Sequence, residues 1–89
     1  MNYNRKEVTP NYTAYYLNDK LHRTDGPAVE WNSGNKSWWL HDKRHRLDGP
    51  AVEWYDGEKS WYISDKEYSE RSFHYYINNL KIPEYFNEI

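Results

Sequence analysis

Two stretches of this chain, YYLNDKLHRTDGPAVEWNSGNKS at 15–37 and WWLHDKRHRLDGPAVEWYDGEKS at 38–60, are one unit written twice at an offset of 23 residues. His22-Arg23 matches His45-Arg46. The run from Asp25 through Gly26, Pro27, Ala28, Val29 and Glu30 to Trp31 matches Asp48 to Trp54, and Gly34 matches Gly57. A third copy opens at Trp61 as WYISDKEY and then departs from the pattern. Self-similarity at a short fixed period marks stacked supersecondary units, each relying on its neighbours for burial.

Inside a unit, Val29 and Trp31 alternate with Ala28 and Glu30, the period of a half-buried strand. Asn32-Ser33-Gly34-Asn35 supplies turn residues, with Gly34 free to take positive φ. The chain returns along Lys36–Leu40. With Trp31 set opposite Lys36, Val29 faces Trp38, and these residues join Leu40 on one apolar face that Val52, Trp54, Trp61 and Ile63 repeat. Asn18-Asp19 and His41-Asp42 stand where tight hairpin turns belong, although neither carries the usual Gly. In Asp25-Gly26-Pro27 and Asp48-Gly49-Pro50, Asp caps the turn, Gly permits an unusual φ and Pro withholds a donor where the ladder breaks. The expected fold is mainly β, an antiparallel meander of repeated β-hairpins with roughly six to seven short strands.

The chain of 89 residues reads as a single domain. Residues 1–11 lead in, 12–68 hold the repeats of period 23, and 69–89 form a C-terminal capping helix. Ser69 is a candidate N-cap with Glu70 in the first turn. Phe73, Tyr76, Ile77 and Leu80 follow at the spacing of one helical face. A repeat sheet needs an atypical end to bury its last apolar surface. A strand over YYINNL at 75–80 is the competing reading. Pro83 marks a break, with Tyr85, Phe86 and Ile89 in a further short turn.

Composition narrows the function. Only 37% of residues are hydrophobic, but 19% are aromatic, including ten Tyr and five Trp, so large rings carry the burial. There is no cysteine, hence no disulfide and no thiolate ligand or nucleophile. A net charge of −2 gives no general drive toward nucleic acid or acidic membranes. With no signal-peptide pattern in MNYNRKEVTP and no membrane-length apolar run, the expected location is the cytoplasm.

The HRxDGPAxEW…GxKxWW pattern, covering about Tyr15 to Tyr68, resembles the variant MORN-type hairpin repeats of bacteriophage, some bacterial and giant-virus proteins. The resemblance implies a curved sheet of repeated hairpins, a phage origin and a host-cytoplasmic setting. It carries no catalytic residues. The missing hairpin glycines and the degenerate third unit depart from the fuller pattern.

His22, Arg23 and Asp25, repeated as His45, Arg46 and Asp48, invite a metal-site or hydrolytic His–Asp reading. The structural alternative has His packed on an aromatic ring and Arg paired with a carboxylate. Catalytic groups normally occur once, whereas these are copied with the repeat, so the structural reading is preferred. No phosphate-cradling loop or nucleophile elbow is present. Neither catalysis nor a metal or other cofactor is expected.

The candidate binding surface combines Tyr16, Trp39 and Tyr62, stacked by repeat position opposite the apolar face, with Arg23 and Arg46. Aromatics beside cations suit a protein hot spot or a nucleobase with its phosphate. The leading expectation is a non-enzymatic phage protein that inhibits a host protein as a counter-defence factor. The alternative is a sponge that sequesters a nucleotide-type immune signal. Self-association into a homo-oligomer is also expected, through the sheet edge near Tyr12–Leu17 or through the aromatic faces.

Overall fold

The computed structural model describes residues 2–80. It contains ten strands and one helix: β1 Arg5–Val8, β2 Tyr12–Leu17, β3 Lys20–Leu21, β4 Val29–Trp31, β5 Lys36–Ser37, β6 Trp39–Leu40, β7 Lys43–Arg44, β8 Val52–Glu53, β9 Lys59–Ile63, β10 Lys66–Tyr68 and α1 Glu70–Leu80. All pairings are antiparallel. The expected mainly β repeat architecture with a helical end is present. The strand count exceeds the expected six to seven because each repeat contributes two tiers.

In the first tier, the ladder runs β1-β2-β4-β5-β8-β9. In the second, the later half of each long strand folds back as a hairpin: β2 with β3, β6 with β7, and β9 with β10. Tyr15 and Trp38 mark the division between tiers. Tyr15 N–H donates to the Ala28 carbonyl, and its own carbonyl accepts from His22 N–H; Trp38 does the same with Ala51 and His45.

The tight turns explain the missing glycines. Asn18 and Asp19 have φ of 52° and 66°, His41 and Asp42 have 50° and 67°, and Ser64 and Asp65 have 48° and 70°. Two successive left-handed residues are what a type I′ turn demands, and Asp tolerates that region better than most residues. The Asp also links repeats. Asp42 Oδ1 accepts from Leu21 N–H at 2.7 Å, and Asp65 Oδ1 accepts from Arg44 N–H at 3.2 Å. A glycine would relax the turn but abandon that donor. Asp42→Gly is therefore expected to cost about 1 kcal/mol and Asp42→Ala about 2 kcal/mol, since alanine loses the bond and keeps the strain. Thermal denaturation of the pair checks the order.

Three sequence expectations are corrected. The first is register. Glu30, not Trp31, stands opposite Lys36, and Val29 stands opposite Ser37. The three-residue loop Asn32-Ser33-Gly34 closes with Gly34 N–H on the Trp31 carbonyl and Gly34 at φ 107°, shortening the expected loop by one residue. A one-residue slip exchanges faces. Val29 and Trp31 thus lie opposite to Trp38 and Trp61, and Trp31 and Trp54 are each 45% exposed rather than core.

The second correction concerns Gly26 and Gly49, neither of which has positive φ. They leave room for arginine: a Cβ on Gly49 would stand 2.7 Å from Arg46 Cζ, and one on Gly26 3.1 Å from Arg23 Cζ. The third concerns the edge at Tyr12–Leu17, which is covered. Residues 5–8 of the lead-in form β1 and pair along it, Arg5 with Tyr16 through Val8 with Thr13. Edge pairing through that strand is not open to a second copy.

The end of the repeat has a steric cause. Two further periods from Ala28 and one from Ala51 lead to His74, and both alanines are 0% exposed. A strand there would put an imidazole at the position that the earlier repeats fill with a buried methyl group. The segment instead becomes α1, with Ser69 Oγ accepting from Ser72 N–H at 3.1 Å as the N-cap. Phe73, 1% exposed, packs on Trp61 with ring centroids 4.8 Å apart. Leu47, Ile63, Tyr68, Tyr76 and Ile77 complete this cluster. The expected turn at Pro83–Ile89 lies outside the described residues.

Candidate functional site

The register divides the sheet into two chemically different faces. One face, here the clamp face, carries Tyr15, Glu30, Lys36, Trp38, Glu53, Lys59 and Trp61. Across the first tier its side chains read Glu30, Lys36, Glu53, Lys59 in directly opposed pairs, alternating in sign. Such cross-strand charge pairing suits a solvated surface.

Arg23 and Arg46 belong to this face. Arg46 Cζ lies 3.9 Å from the Trp38 ring centroid and Arg23 Cζ 4.1 Å from that of Tyr15. Arg46 Nε donates to Asp48 Oδ1 at 2.9 Å, and Nη1 donates to the Pro50 carbonyl at 3.0 Å and Glu53 Oε2 at 3.2 Å. Arg23 repeats the set with Asp25, Pro27 and Glu30. Each guanidinium therefore clamps its own Asp-Gly-Pro loop onto its own aromatic. The bond from Arg23 holds the exposed Asp25 carboxyl below its ordinary range. In the third unit Ser69 replaces the arginine, and Phe73 covers Trp61 instead.

The aromatic face carries Tyr12, Tyr16, Val29, Trp31, Ser37, Trp39, Val52, Trp54 and Tyr62. Trp39 Nε1 donates to Ser37 Oγ at 2.8 Å, fixing the indole on that side. Trp31 and Trp54 flank a shallow groove whose lining includes Ser37, Trp39, Arg44, Val52 and Tyr62. The structure brings Trp39 and Tyr62 together there, as expected. Tyr16 lies on the same face toward β1, and Arg23 and Arg46 are on the other side of the sheet.

Different cations serve the aromatic face, and sequence reasoning missed them because they do not recur in every copy. Arg44 Cζ lies 4.2 Å from the Tyr62 ring centroid and 5.8 Å from that of Trp39. Its Nε donates to Asp65 Oδ1 at 3.1 Å, which lowers the Asp65 pKa. Arg5 Cζ lies 3.9 Å from the Tyr16 ring centroid. Tyr12 and Tyr16 hydroxyls both donate to Glu7 Oε1, at 3.2 and 3.1 Å. The Tyr12 phenol is raised chiefly by that bond, and the Tyr16 phenol by burial and then the bond. The alternation rule could have found Arg44, since it pairs directly with Trp39.

His22 and His45 are both 4% exposed and bond across to the next repeat, and His45 also lines a pocket with Trp38 and Arg46 on the clamp face. His22 Nδ1 accepts from His41 N–H at 3.1 Å, and His45 Nδ1 accepts from Ser64 N–H at 2.9 Å. Among the described residues no three His, Asp or Glu side chains gather as a metal would need, and no helix is long and apolar enough to cross a membrane. No protein-family model, curated protein or solved structure matches the chain.

Proposed function

We propose that this is a non-enzymatic binding protein that engages a protein partner through its aromatic face. One observation carries the reading: Trp31 and Trp54, one period apart and each 45% exposed, flank a groove that also holds Trp39, Tyr62 and Arg44. Folding alone gives little reason to leave two indoles half in water on a well-paired sheet. Trp, Tyr and Arg are the residues that dominate protein hot spots, and a rigid aromatic contact orders few rotors on binding.

The MORN-type resemblance supports a phage origin, and with it a host protein as the partner and counter-defence as the purpose. A sponge for a nucleotide-type signal is the second reading, favoured by the Arg44 guanidinium standing over Tyr62 beside Trp39. A second copy of the chain is a further possible partner for the same face, in place of the closed edge.

Trp54→Ala is expected to weaken partner binding at least tenfold, with stability changed by about 1 kcal/mol or less because the ring is half exposed. Arg46→Ala, by contrast, is expected to lower stability through its lost clamp. Titration calorimetry against cyclic and linear nucleotides separates the readings, since only a sponge gives heat without another protein. Unchanged binding in Trp54→Ala and Trp39→Ala together would remove the aromatic face as the site.

A further inference from the structure

The aromatic face repeats at a fixed distance across the sheet. Trp31 closes β4 and Trp54 follows β8, and both strands pair with β5, where Glu30 and Glu53 stand opposite the same Lys36. Two strand spacings, or roughly 9.5 Å, therefore separate the two indole positions. Trp39 and Tyr62 hold the same relation, since Ser37 and Ser60, two residues before them, both stand opposite Val52. Arg44 of β7 pairs with Trp39 and lays its guanidinium over Tyr62. The rings thus form two rows that run across the strands. Trp31 N–H donates to the Asn35 carbonyl, so the rows are offset along the strand by the step from Asn35 to Trp39, roughly 13 Å. Ser37 and Val52 line the groove between them.

We propose that the partner segment is a proline-rich peptide in the polyproline II conformation, with an acidic residue beside the prolines. This rests on the reading of the aromatic face as a protein-binding surface. A polyproline II helix turns every three residues and rises about 3.1 Å per residue, so residues i and i+3 stand roughly 9.3 Å apart. That distance matches the spacing of the repeats, and a peptide lying across the strands presents one proline to each unit. Hydrogen bonding favours the same conformer. Trp39 Nε1 is held by Ser37 Oγ, whereas among the described residues Trp31 Nε1 and Trp54 Nε1 have no acceptor. Polyproline II carbonyls are unpaired and accept from such donors, while those of an α-helix are spent inside the helix. An added β-strand needs an open sheet edge, and β4 and β8 are each paired on both sides. Charge favours an acidic flank. Among the described residues no carboxylate lines the groove, and Arg44 spends only Nε on Asp65, leaving its Nη nitrogens for a carboxylate of the peptide.

The test titrates a synthetic peptide of about nine prolines, three turns, followed by a pair of glutamates, and follows the indole N–H resonances of Trp31 and Trp54 by NMR. Saturable shifts of both are expected. Trp54→Ala is expected to weaken binding at least tenfold. Trp54→Phe, which keeps a ring but drops the donor, is expected to weaken it about fivefold. Exchanging the glutamates for glutamines is expected to weaken binding about threefold in wild type and not at all in Arg44→Gln. No shift of either indole at about 1 mM peptide, or a glutamate preference that survives in Arg44→Gln, overturns the proposal.

Selection from a random-peptide library, on the wild type and on Trp39→Ala/Trp54→Ala, separates this failure from failure of the surface itself. Enriched peptides with prolines three apart and an acidic neighbour support the proposal. Enriched peptides without that spacing overturn it and leave a protein-binding face standing. No enrichment over the double variant overturns both. A dimer in sedimentation that Trp54→Ala dissolves would assign the groove to a second copy, and a nucleotide that shifts both indoles would assign it to a sponge. Either result overturns the polyproline partner.

Discussion

Trp61→Ala is expected to cost about 3–5 kcal/mol, the largest effect of any single substitution proposed for this chain. Trp61 is 8% exposed and lies under Phe73, with the His74 ring edge-on at 5.1 Å. Its removal empties the centre of the only buried cluster that joins sheet to helix among the described residues. A domain of this size has roughly 5–15 kcal/mol to lose, so the variant stands near the unfolding threshold. Trp31→Ala serves as the control, since that ring is 45% exposed and touches mainly Tyr12, with centroids 5.0 Å apart. It is expected to cost about 1 kcal/mol. Urea denaturation of both measures the difference, and equal losses would contradict the division into faces.

Ending the chain after Tyr68 is expected to be more damaging still. The cut removes Phe73, Tyr76 and Ile77 from the cluster and exposes Trp61 and Ile63 on the clamp face. It also uncovers the apolar part of β9 that α1 packs against, a surface that can recruit another chain. Aggregation or a loss of the cooperative transition is the expected result, read by sedimentation and thermal melting. A truncated chain that stays monomeric with an unchanged Tm would show that α1 is not the cap.

The site was only half legible in the sequence, for a reason visible in particular residues. Tyr16, Trp39 and Tyr62 were placed on one face by their spacing, and they share it. Arg23 and Arg46 recur beside the aromatics along the chain, which suggests the same face. Recurrence, however, also marks parts that every repeat needs in order to fold, and these arginines are such parts. The cations beside the aromatic face, Arg5 and Arg44, occupy positions that vary between copies. Gly49 follows the same logic: a glycine next to proline suggests unusual φ, but its role is to leave space for a guanidinium from three residues earlier.

Local chemistry written in the sequence was enough to determine the repeat period and the antiparallel hairpins, and to mark Ser69–Glu70 as a helix start while YYINNL at 75–80 still suited a strand. Turn-forming residues, strand alternation and an N-cap act over a few residues, and each restricts φ and ψ where it stands. Only the tertiary structure decided which residues share a face, because side-chain direction alternates along a strand and a loop one residue shorter reverses the assignment. It also decided the partners of His22, His45 and Asp42, which lie about 20 residues away in an adjacent repeat. Those bonds depend on how one unit stacks on another, and stacking is set by the burial of Trp61, Phe73 and the alanines at 28 and 51, not by any local preference.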